Sequence, residues 1–265
     1  MSRAALLTGS VGGIVGAITA IIGMLWSQIT LQLAINITDY PLQIILAAST
    51  SAEYALALRT VVPFTGLLVY GSYVSYSWTL AISLIVSCIL LGVGFYGMYK
   101  AGGGAMGAVG LVLGIIGSIA GALLIILGTF TIRVPQFGIL GYSELLFGII
   151  TTNIPSFTFT WIGLLILAAI FIVFGVASIT ARSATRIPAL SVISGIVGIV
   201  GACLFFLYSM FVQEITTGIL VNPLSGSAVA GIQSTIFGFI VIFVASILWS
   251  VLFFFTKTTV KKLSP

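Results

Sequence analysis

Long apolar runs separated by short polar segments make up most of this 265-residue chain. A helix that crosses the core of a bilayer needs about 20 mostly apolar residues, and six runs reach that length. They extend approximately over Leu6–Gln28, Trp78–Tyr99, Ala105–Phe130, Trp161–Ala181, Pro188–Phe211 and Gln233–Thr256. Helices are required because every backbone N–H and C=O group in hydrocarbon must find an internal partner. The pattern therefore predicts an all-α fold, a polytopic membrane bundle of about six transmembrane helices.

One apolar stretch, Thr60–Tyr99, could hold two spans, because its length of about 40 residues is twice the minimum. We predict a single span that begins near Trp78. Pro63 and Gly66 disfavour a continuous helix before that point, so the segment Thr60–Ser77 is predicted to be interfacial or a loop.

The composition supports a membrane protein and excludes a soluble one. Hydrophobic residues make up 60% of the chain and charged residues only 5%, and the mean hydropathy is +1.33. Soluble domains carry about 25% charged residues because water must solvate their surface. No stretch is polar enough for a separate soluble domain, so residues 1–265 are predicted to form one transmembrane domain.

The basic residues predict the orientation in the membrane. With six spans and the N-terminus inside, the cytoplasmic ends carry Arg3, Lys100, Arg182, Arg186, Lys257, Lys261 and Lys262. The outer loops carry only Arg59 and Arg133, together with the chain's four acids, Asp39, Glu53, Glu144 and Glu214. An excess of Lys and Arg on the cytoplasmic side is typical of membrane proteins. We therefore predict a multi-pass protein of the cell membrane with both termini in the cytoplasm.

Three long outer segments remain between the predicted spans: Ile29–Ser77, Thr131–Thr160 and Gln213–Ile232. Loops longer than about 12 to 15 residues are usually functional or disordered, and these are too apolar for disorder. We expect them to form a cap of short interfacial helices or extended pieces. Leu42–Ala48 and Glu53–Leu58 are the predicted interfacial helices.

Each outer segment holds one of the chain's three asparagines shortly before a proline. These are Asn36 with Pro41, Asn153 with Pro155 and Asn222 with Pro223. Asn and Pro both favour turns, so three similar turns are predicted. The sequence Asn36-Ile37-Thr38 is also a glycosylation sequon.

A short motif recurs in alternate spans. Gly13-Ile14-Val15-Gly16, Gly114-Ile115-Ile116-Gly117 and Gly195-Ile196-Val197-Gly198 occupy the first, third and fifth spans. The chain thus divides into three possible hairpin units, residues 1–101, 102–183 and 184–265, and it is compatible with triplication of a two-helix unit.

Glycines at GxxxG spacing predict close helix–helix contacts, since helices in lipid associate over small residues. The pairs are Gly12 with Gly16, Gly110 with Gly114, and Gly117 with Gly121. Two interpretations remain open: packing within this protein's own bundle, and self-association or binding of other membrane subunits. The run Gly102–Gly104 lacks the strand and the Lys of a phosphate-binding loop, and it predicts a tight turn between two spans.

No candidate catalytic, cofactor-binding or metal-binding residue emerges. Histidine is absent, which removes the commonest metal ligand and the usual general base. Cys88 and Cys203 each lie within an apolar run and are predicted to be small buried hydrophobes. No cofactor and no nucleic-acid partner is expected, and the basic residues are explained by membrane orientation.

Three functions are compatible with this pattern. The first is a non-catalytic structural or accessory subunit of a multi-subunit membrane complex, such as a respiratory, secretion or envelope assembly. The second is a transporter or channel for small neutral solutes, lined by residues such as Gln28, Ser83, Ser87, Thr129, Ser178, Ser191 and Ser194. The third, an enzyme, would need Glu53, Glu144 and Glu214 to converge on the outer side.

The polar residues also predict a habitat. The outer segments are rich in Ser, Thr, Tyr and Gln and poor in carboxylates, which protonate near pH 4. Together with the heavy use of Ile and the absence of His, this archaeal-like composition predicts an organism that lives in hot acid.

Overall fold

The structure, a computed structural model, is an all-α bundle with one β-hairpin. It describes the backbone of residues 2–50, 52–140, 146–216 and 226–257, and the side chains of residues 3–35, 68–131, 155–213 and 226–257. The helices are α1 (Ser2–Thr50), α2 (Ala52–Lys100), α3 (Met106–Leu127), α4 (Phe157–Thr180), α5 (Pro188–Leu204), α6 (Tyr208–Thr216) and α7 (Gly226–Phe254). Two short 3-10 helices, Ala181–Ala184 and Phe205–Leu207, follow α4 and α5.

Among the described residues, six helical segments are long and apolar enough to span a membrane, as the sequence predicts. They are Arg3–Ile35, Leu68–Lys100, Met106–Leu127, Phe157–Ala184, Pro188–Gln213 and Gly226–Phe254. The fifth consists of α5, the 3-10 helix Phe205–Leu207 and α6, and it begins at Pro188, where a proline is tolerated because the first helical N–H has no intrahelical partner. The chain is a multi-pass membrane protein.

The spans form a closed ring. Each packs on the next along the chain, and α7 returns to pack on both α5 and α1. We call α1, α3 and α5 the leading helices and α2, α4 and α7 the returning helices. The end of the bundle that carries Arg3, Lys100, Arg182, Arg186 and Lys257 is the basic end, and the opposite end, where α1 meets α2, is the hairpin end.

The recurring glycine motif has equivalent surroundings in all three leading helices. In α1, Gly13 meets α7 at Ser250, and Gly16 lies between Ser87 of α2 and Ser246 of α7. In α3, Gly114 lies against Cys88 of α2 and Phe174 of α4; in α5, Gly195 meets α4 and Gly198 meets Trp249 of α7. Each motif thus contacts the returning helices that flank its own helix in the ring.

Several of these contacts bring two backbones together. A Cβ atom added to Gly175 of α4 would lie 2.7 Å from the carbonyl oxygen of Gly195 of α5, and one added to Gly94 of α2 would lie 2.5 Å from the Cα atom of Gly9 of α1. Only glycine allows so close an approach, which maximises dispersion contact between helices that gain nothing from burial away from lipid.

Many large apolar side chains point outward, where a water-soluble bundle would carry polar residues. On α1 the exposed stripe repeats every three or four residues through Leu7, Val11, Ile14, Ile18, Ile21 and Leu25. The opposite faces bury small and hydroxylated residues such as Ser10, Ala17, Thr19 and Ser27. This arrangement suits a surface that contacts acyl chains.

Helices α1 and α2 correct the prediction for the first outer segment. Each has 49 residues, which corresponds to about 74 Å at 1.5 Å per residue, whereas the hydrocarbon core is about 30 Å thick. The segment Ile29–Ser77 is therefore not a loop, and Leu42–Ala48 and Glu53–Leu58 are not separate interfacial helices. They continue the two spans, because Leu and Ala favour helix and the two helices pack along each other.

The segment Thr60–Ser77 is likewise part of α2, so its prediction as an interfacial or loop segment is wrong. Pro63 and Gly66 lie inside the helix, which shows that their local preference is overridden. The prediction of one span rather than two within Thr60–Tyr99 agrees with this single continuous helix.

The second and third outer segments are shorter than predicted. Strands β1 (Thr131–Leu140) and β2 (Leu146–Pro155) form an antiparallel hairpin in which Val134 lies opposite Thr152, and α4 begins directly afterwards at Phe157. In the third segment α6 continues to Thr216 and α7 begins at Gly226. Residues 217–225 between them lie outside the described residues.

Two of the three predicted Asn turns are wrong. Asn36 and Pro41 lie within α1, and Asn153 and Pro155 within β2, because the regular hydrogen bonding of helix and strand outweighs the turn preference of single residues. Asn222 lies outside the described residues. The turn at Gly102–Gly104 is confirmed: Gly102 has a φ of 95°, and the Gly103 N–H donates to the Met98 carbonyl oxygen at 2.9 Å.

The two cysteines differ in environment. Cys88 is buried, as predicted, but Cys203 is exposed. The prediction that both cysteines are buried is therefore wrong for Cys203, which lies on the outward face of α5. A helix in lipid is apolar on its outward face as well as its inward face, so an apolar run does not show which residues are buried.

At the basic end, the connection between α4 and α5 is fastened to the end of α7. Thr185 and Thr256 form an antiparallel bridge. The Arg186 N–H donates to the Phe255 carbonyl oxygen at 2.8 Å, and the Lys257 N–H donates to the Ala184 carbonyl oxygen at 2.8 Å. We call residues 184–186 and 255–257 the basic-end clamp.

Two glycines of α2 offer a matched test of close packing. We expect Gly94→Ala to lower the stability of the detergent-solubilised protein by about 1 to 3 kcal/mol, because the added methyl group overpacks the contact with Gly9. A methyl group added to Gly71 would meet no atom of a neighbouring element within 4 Å, so Gly71→Ala should be neutral or stabilising by up to about 1 kcal/mol through helix propensity. Thermal unfolding of both variants measures the difference, and equal effects would contradict the packing assignment.

Candidate functional site

The centre of the ring, where a transport path or a cofactor would lie, is filled by aromatic side chains at the basic end. All come from the returning helices: Phe95, Phe171, Phe174, Trp249 and Phe253. Phe95 stacks on Phe174 with ring centroids 5.0 Å apart and meets Phe253 edge-on at 5.1 Å. Such pairs add dispersion and quadrupole attraction to simple packing. We call these five residues the central aromatic cluster.

A second aromatic cluster closes the bundle towards the hairpin end. It consists of Trp26, Tyr73, Phe157, Tyr208 and Phe211, all buried. The ring centroids of Phe157 and Phe211 are 5.0 Å apart, and those of Tyr208 and Phe211 are 5.3 Å apart. The two clusters together occupy the axis at two levels.

Two members of this second cluster, Trp26 and Tyr73, form hydrogen bonds with neighbouring hydroxyl side chains and so link the helices. The Trp26 Nε1–H donates to Ser77 Oγ at 2.9 Å, and the Ser77 hydroxyl in turn donates to the Tyr73 carbonyl oxygen at 2.8 Å. The hydroxyls of Tyr73 and Thr160 lie 3.3 Å apart. Helices α1, α2 and α4 are thereby cross-linked by hydrogen bonds in a region where water cannot compete.

Serines make further contacts between neighbouring helices. The hydroxyls of Ser178 on α4 and Ser194 on α5 are 2.8 Å apart, and Ser178 Oγ also donates to the Ser191 carbonyl oxygen at 2.8 Å. At the junction of α1 and α7, Ser10 and Ser250 each donate to the other's carbonyl oxygen, at 2.9 Å and 2.8 Å.

The polar residues proposed to line a solute path do not come together as one group. Only Ser178, Ser191 and Ser194 meet. Gln28 is exposed on α1, and the Thr129 hydroxyl donates to the carbonyl oxygen of Ile126 on its own helix at 2.7 Å. The remaining two, Ser83 and Ser87, lie on α2 and face α1: the Ser83 carbonyl oxygen accepts a hydrogen bond from Thr19, and Ser87 contacts Gly16.

Five buried side-chain polar atoms have no hydrogen-bond partner within the described part of the chain. They are Ser87 Oγ, Trp161 Nε1, Tyr208 OH, Ser246 Oγ and Trp249 Nε1. Ser87 and Ser246 face each other across Gly16, each 2.9 Å from the position of a Cβ atom on that glycine. The other three belong to aromatic residues whose rings are packed among neighbours.

The carboxylates considered for an enzyme lie outside the residues whose side chains the structure describes. Glu53 lies on α2 and Glu214 on α6, but their side chains are outside the described residues, as is the whole of Glu144. Where side chains are described there is no Asp, Glu or His, and no group of residues there could hold a metal ion through such ligands. The described residues therefore offer no acid–base pair.

Sequence reasoning missed both aromatic clusters. A weak signal existed in the spacing of Phe171 and Phe174, and of Trp249 and Phe253, which places each pair on one helical face. Eighteen phenylalanines in an apolar chain hide that signal, because outward-facing positions such as Phe237 and Phe254 are equally aromatic.

The role of the central aromatic cluster can be tested with two Phe→Ala variants. Phe95→Ala should destabilise the protein by about 2 to 3 kcal/mol, because it removes contacts with Phe174, Trp249 and Phe253 and leaves a cavity. Phe237 is 60% exposed, and lipid or detergent can replace its contacts, so Phe237→Ala should change stability little. Thermal unfolding in detergent provides the measurement. If Phe95→Ala left the stability unchanged, the cluster would be loosely packed and the prediction would be wrong.

Stability of the bundle should hardly depend on acid pH. The described side chains contain no group that titrates between pH 2 and pH 7, because carboxylates and histidine are absent from them. We expect the melting temperature in a non-ionic detergent to change by less than about 3 °C, equivalent to about 1 kcal/mol, between pH 7 and pH 2. A steep loss of stability below pH 4 would show that Asp39, Glu53, Glu144 or Glu214 stabilises the fold.

Comparison of the chain with protein-family models finds no matching family. Comparison with curated proteins and with solved structures finds no match either.

Proposed function

We propose that this protein is a non-catalytic structural or accessory subunit of a multi-subunit membrane complex, such as a respiratory, secretion or envelope assembly. The observation that carries the proposal is the length of α1 and α2. After the spans Arg3–Ile35 and Leu68–Lys100 are accounted for, residues 36–50 and 52–67 remain helical. We call these two segments the helical extension.

The helical extension is too apolar to stand alone in water. Its only charged residues are Asp39, Glu53 and Arg59, and apolar residues occupy most of the remaining positions. A helix that is apolar on all sides is normally buried against protein or lipid, and large exposed apolar patches mark interaction sites. The helices that carry these segments, α1 and α2, are each about 74 Å long against a bilayer core of about 30 Å. The excess length supports a role in binding other subunits outside the hydrocarbon.

The filled interior gives less support to a transporter or channel for small neutral solutes. Two aromatic clusters occupy the axis of the ring, and the polar residues lie at separate helix contacts. Transporter sites usually lie at broken helices near the middle of the membrane. Here the one 3-10 interruption within a described span, Phe205–Leu207, buries Phe205 against Phe239 with ring centroids 4.8 Å apart.

Within the same proposal, the basic end faces the cytoplasm of the cell and the helical extension lies outside, in accordance with the bias of Lys and Arg. The partners are other membrane subunits or further copies of the chain. The glycines of the GxxxG pairs contact helices of this same chain, so we assign partner binding to the helical extension in place of the glycine-lined faces. The scarcity of carboxylates supports an archaeal host that lives in hot acid.

The proposal predicts that removal of the helical extension separates assembly from folding. A variant that joins Ile35 to Leu68 through a short glycine turn keeps all six spans, and it should retain a cooperative thermal transition in mild detergent. It should lose the stoichiometric partner polypeptides, or further copies of the chain, that co-purify with the full-length protein in native mass measurements.

A variant lacking residues 258–265 is the control, because it shortens the chain without touching the helical extension, and it should keep the partners. Purification of the full-length protein as a lone polypeptide from its native membrane would contradict the proposal. Flux of a neutral solute into proteoliposomes containing only this chain would favour the transporter instead.

A further inference from the structure

A cavity of about 360 Å³ opens at the basic end between the first turns of α1 and the last turns of α7. Its walls include Arg3, Leu7, Ser10, Arg186, Phe254 and Thr256. The cavity adjoins the central aromatic cluster through Phe253, which lines the cavity and belongs to that cluster. It combines two guanidinium groups with an apolar wall.

The backbone of one of the two arginines is fixed in place. Arg186 belongs to the basic-end clamp, where its N–H donates to the Phe255 carbonyl oxygen at 2.8 Å and its neighbour Thr185 bridges to Thr256. Arg3 reaches the same cavity from the first turn of α1. Three segments distant in sequence therefore converge on this point, and little conformational freedom of the backbone would be lost on binding.

The cavity carries positive charge, and the described side chains include no acid that could neutralise it. The chain's four acids lie at positions 39, 53, 144 and 214, outside the residues whose side chains the structure describes. The two hydroxyls of the cavity are already engaged, since Ser10 Oγ donates to the Ser250 carbonyl oxygen and Thr256 Oγ1 donates to the Leu252 carbonyl oxygen. The guanidinium groups are thus the donors left for an anion, and their planar forks suit phosphate oxygens.

The apolar wall indicates an anion that has a hydrocarbon tail. Leu7 is 49% exposed and Phe254 65% exposed, and both belong to the outward-facing surface of the bundle as well as to the cavity. An inorganic phosphate would use the arginines but not this surface. A phospholipid would place its phosphate between Arg3 and Arg186 and lay an acyl chain along Leu7 and Phe254.

We propose that this cavity binds the phosphate headgroup of an anionic membrane lipid. A lipid headgroup and free phosphate would bind through the same chemistry, a phosphate oxygen held by two guanidinium groups. Basic pockets between transmembrane helices commonly bind acidic lipid headgroups. Bound lipid would join α1, the connection between α4 and α5, and the end of α7, and it would bring negative charge to the described arginines of the cavity.

The test measures lipid binding to the full chain by native mass spectrometry and by thermal stabilisation in detergent. Anionic phosphatidylglycerol should bind and raise the melting temperature, whereas zwitterionic phosphatidylcholine, inorganic phosphate and glycerol phosphate should do so far less. The double variant Arg3→Gln/Arg186→Gln should bind phosphatidylglycerol about 30-fold more weakly, which corresponds to about 2 kcal/mol.

Arg182→Gln is the matched control, because it removes the same charge from the same end of the bundle but from a residue outside the cavity lining; it should keep the wild-type affinity. The variant Arg3→Lys/Arg186→Lys retains the charge and should keep the preference for phosphatidylglycerol over phosphatidylcholine. This variant keeps the proposal testable if the double Gln variant does not fold. Equal losses in the cavity and control variants, or equal binding of the two lipids, would overturn the proposal. Binding of inorganic phosphate as tight as that of the lipid would overturn the lipid assignment.

Discussion

Close backbone contact over glycine is the interaction on which the rest of this structure depends. In hydrocarbon, a helix gains no solvation advantage from meeting another helix, so dispersion over short distances must hold the ring together. Gly9 with Gly94 and Gly175 with Gly195 bring backbones within contact distance. These approaches set the spacing of neighbouring helices, and that spacing brings the serines of α4 and α5 into hydrogen-bonding range.

The same constraint determines what fills the centre. When small residues line the leading helices, the returning helices can extend large rings towards the axis, and Phe95, Phe174 and Trp249 meet there. The two ends of the bundle differ from this filled centre. One end carries the apolar helical extension, and the other has two arginines that line one cavity.

Much of the fold could be predicted from the sequence, for identifiable reasons. The six spans follow from the length of the apolar runs, the start of α5 from Pro188, and the turn after α2 from Gly102, whose φ of 95° disfavours other residues. The prediction failed where local and tertiary preferences conflict. Pro41 and Pro63 suggested loops, yet both lie in helices that pack along each other.

The sequence determines the class of this fold, whereas the tertiary structure determines its candidate sites. Apolar length and the scarcity of charge by themselves determined that this chain is a helical, multi-pass membrane protein, because the cost of exposing backbone polar groups to hydrocarbon is the same in any such chain. Only the tertiary structure decided which faces are inward, how far α1 and α2 extend, and that Arg3 and Arg186, 183 positions apart in the chain, share one cavity. Those features depend on which helices become neighbours, and helix packing in lipid is governed by shape complementarity, which hydropathy does not encode.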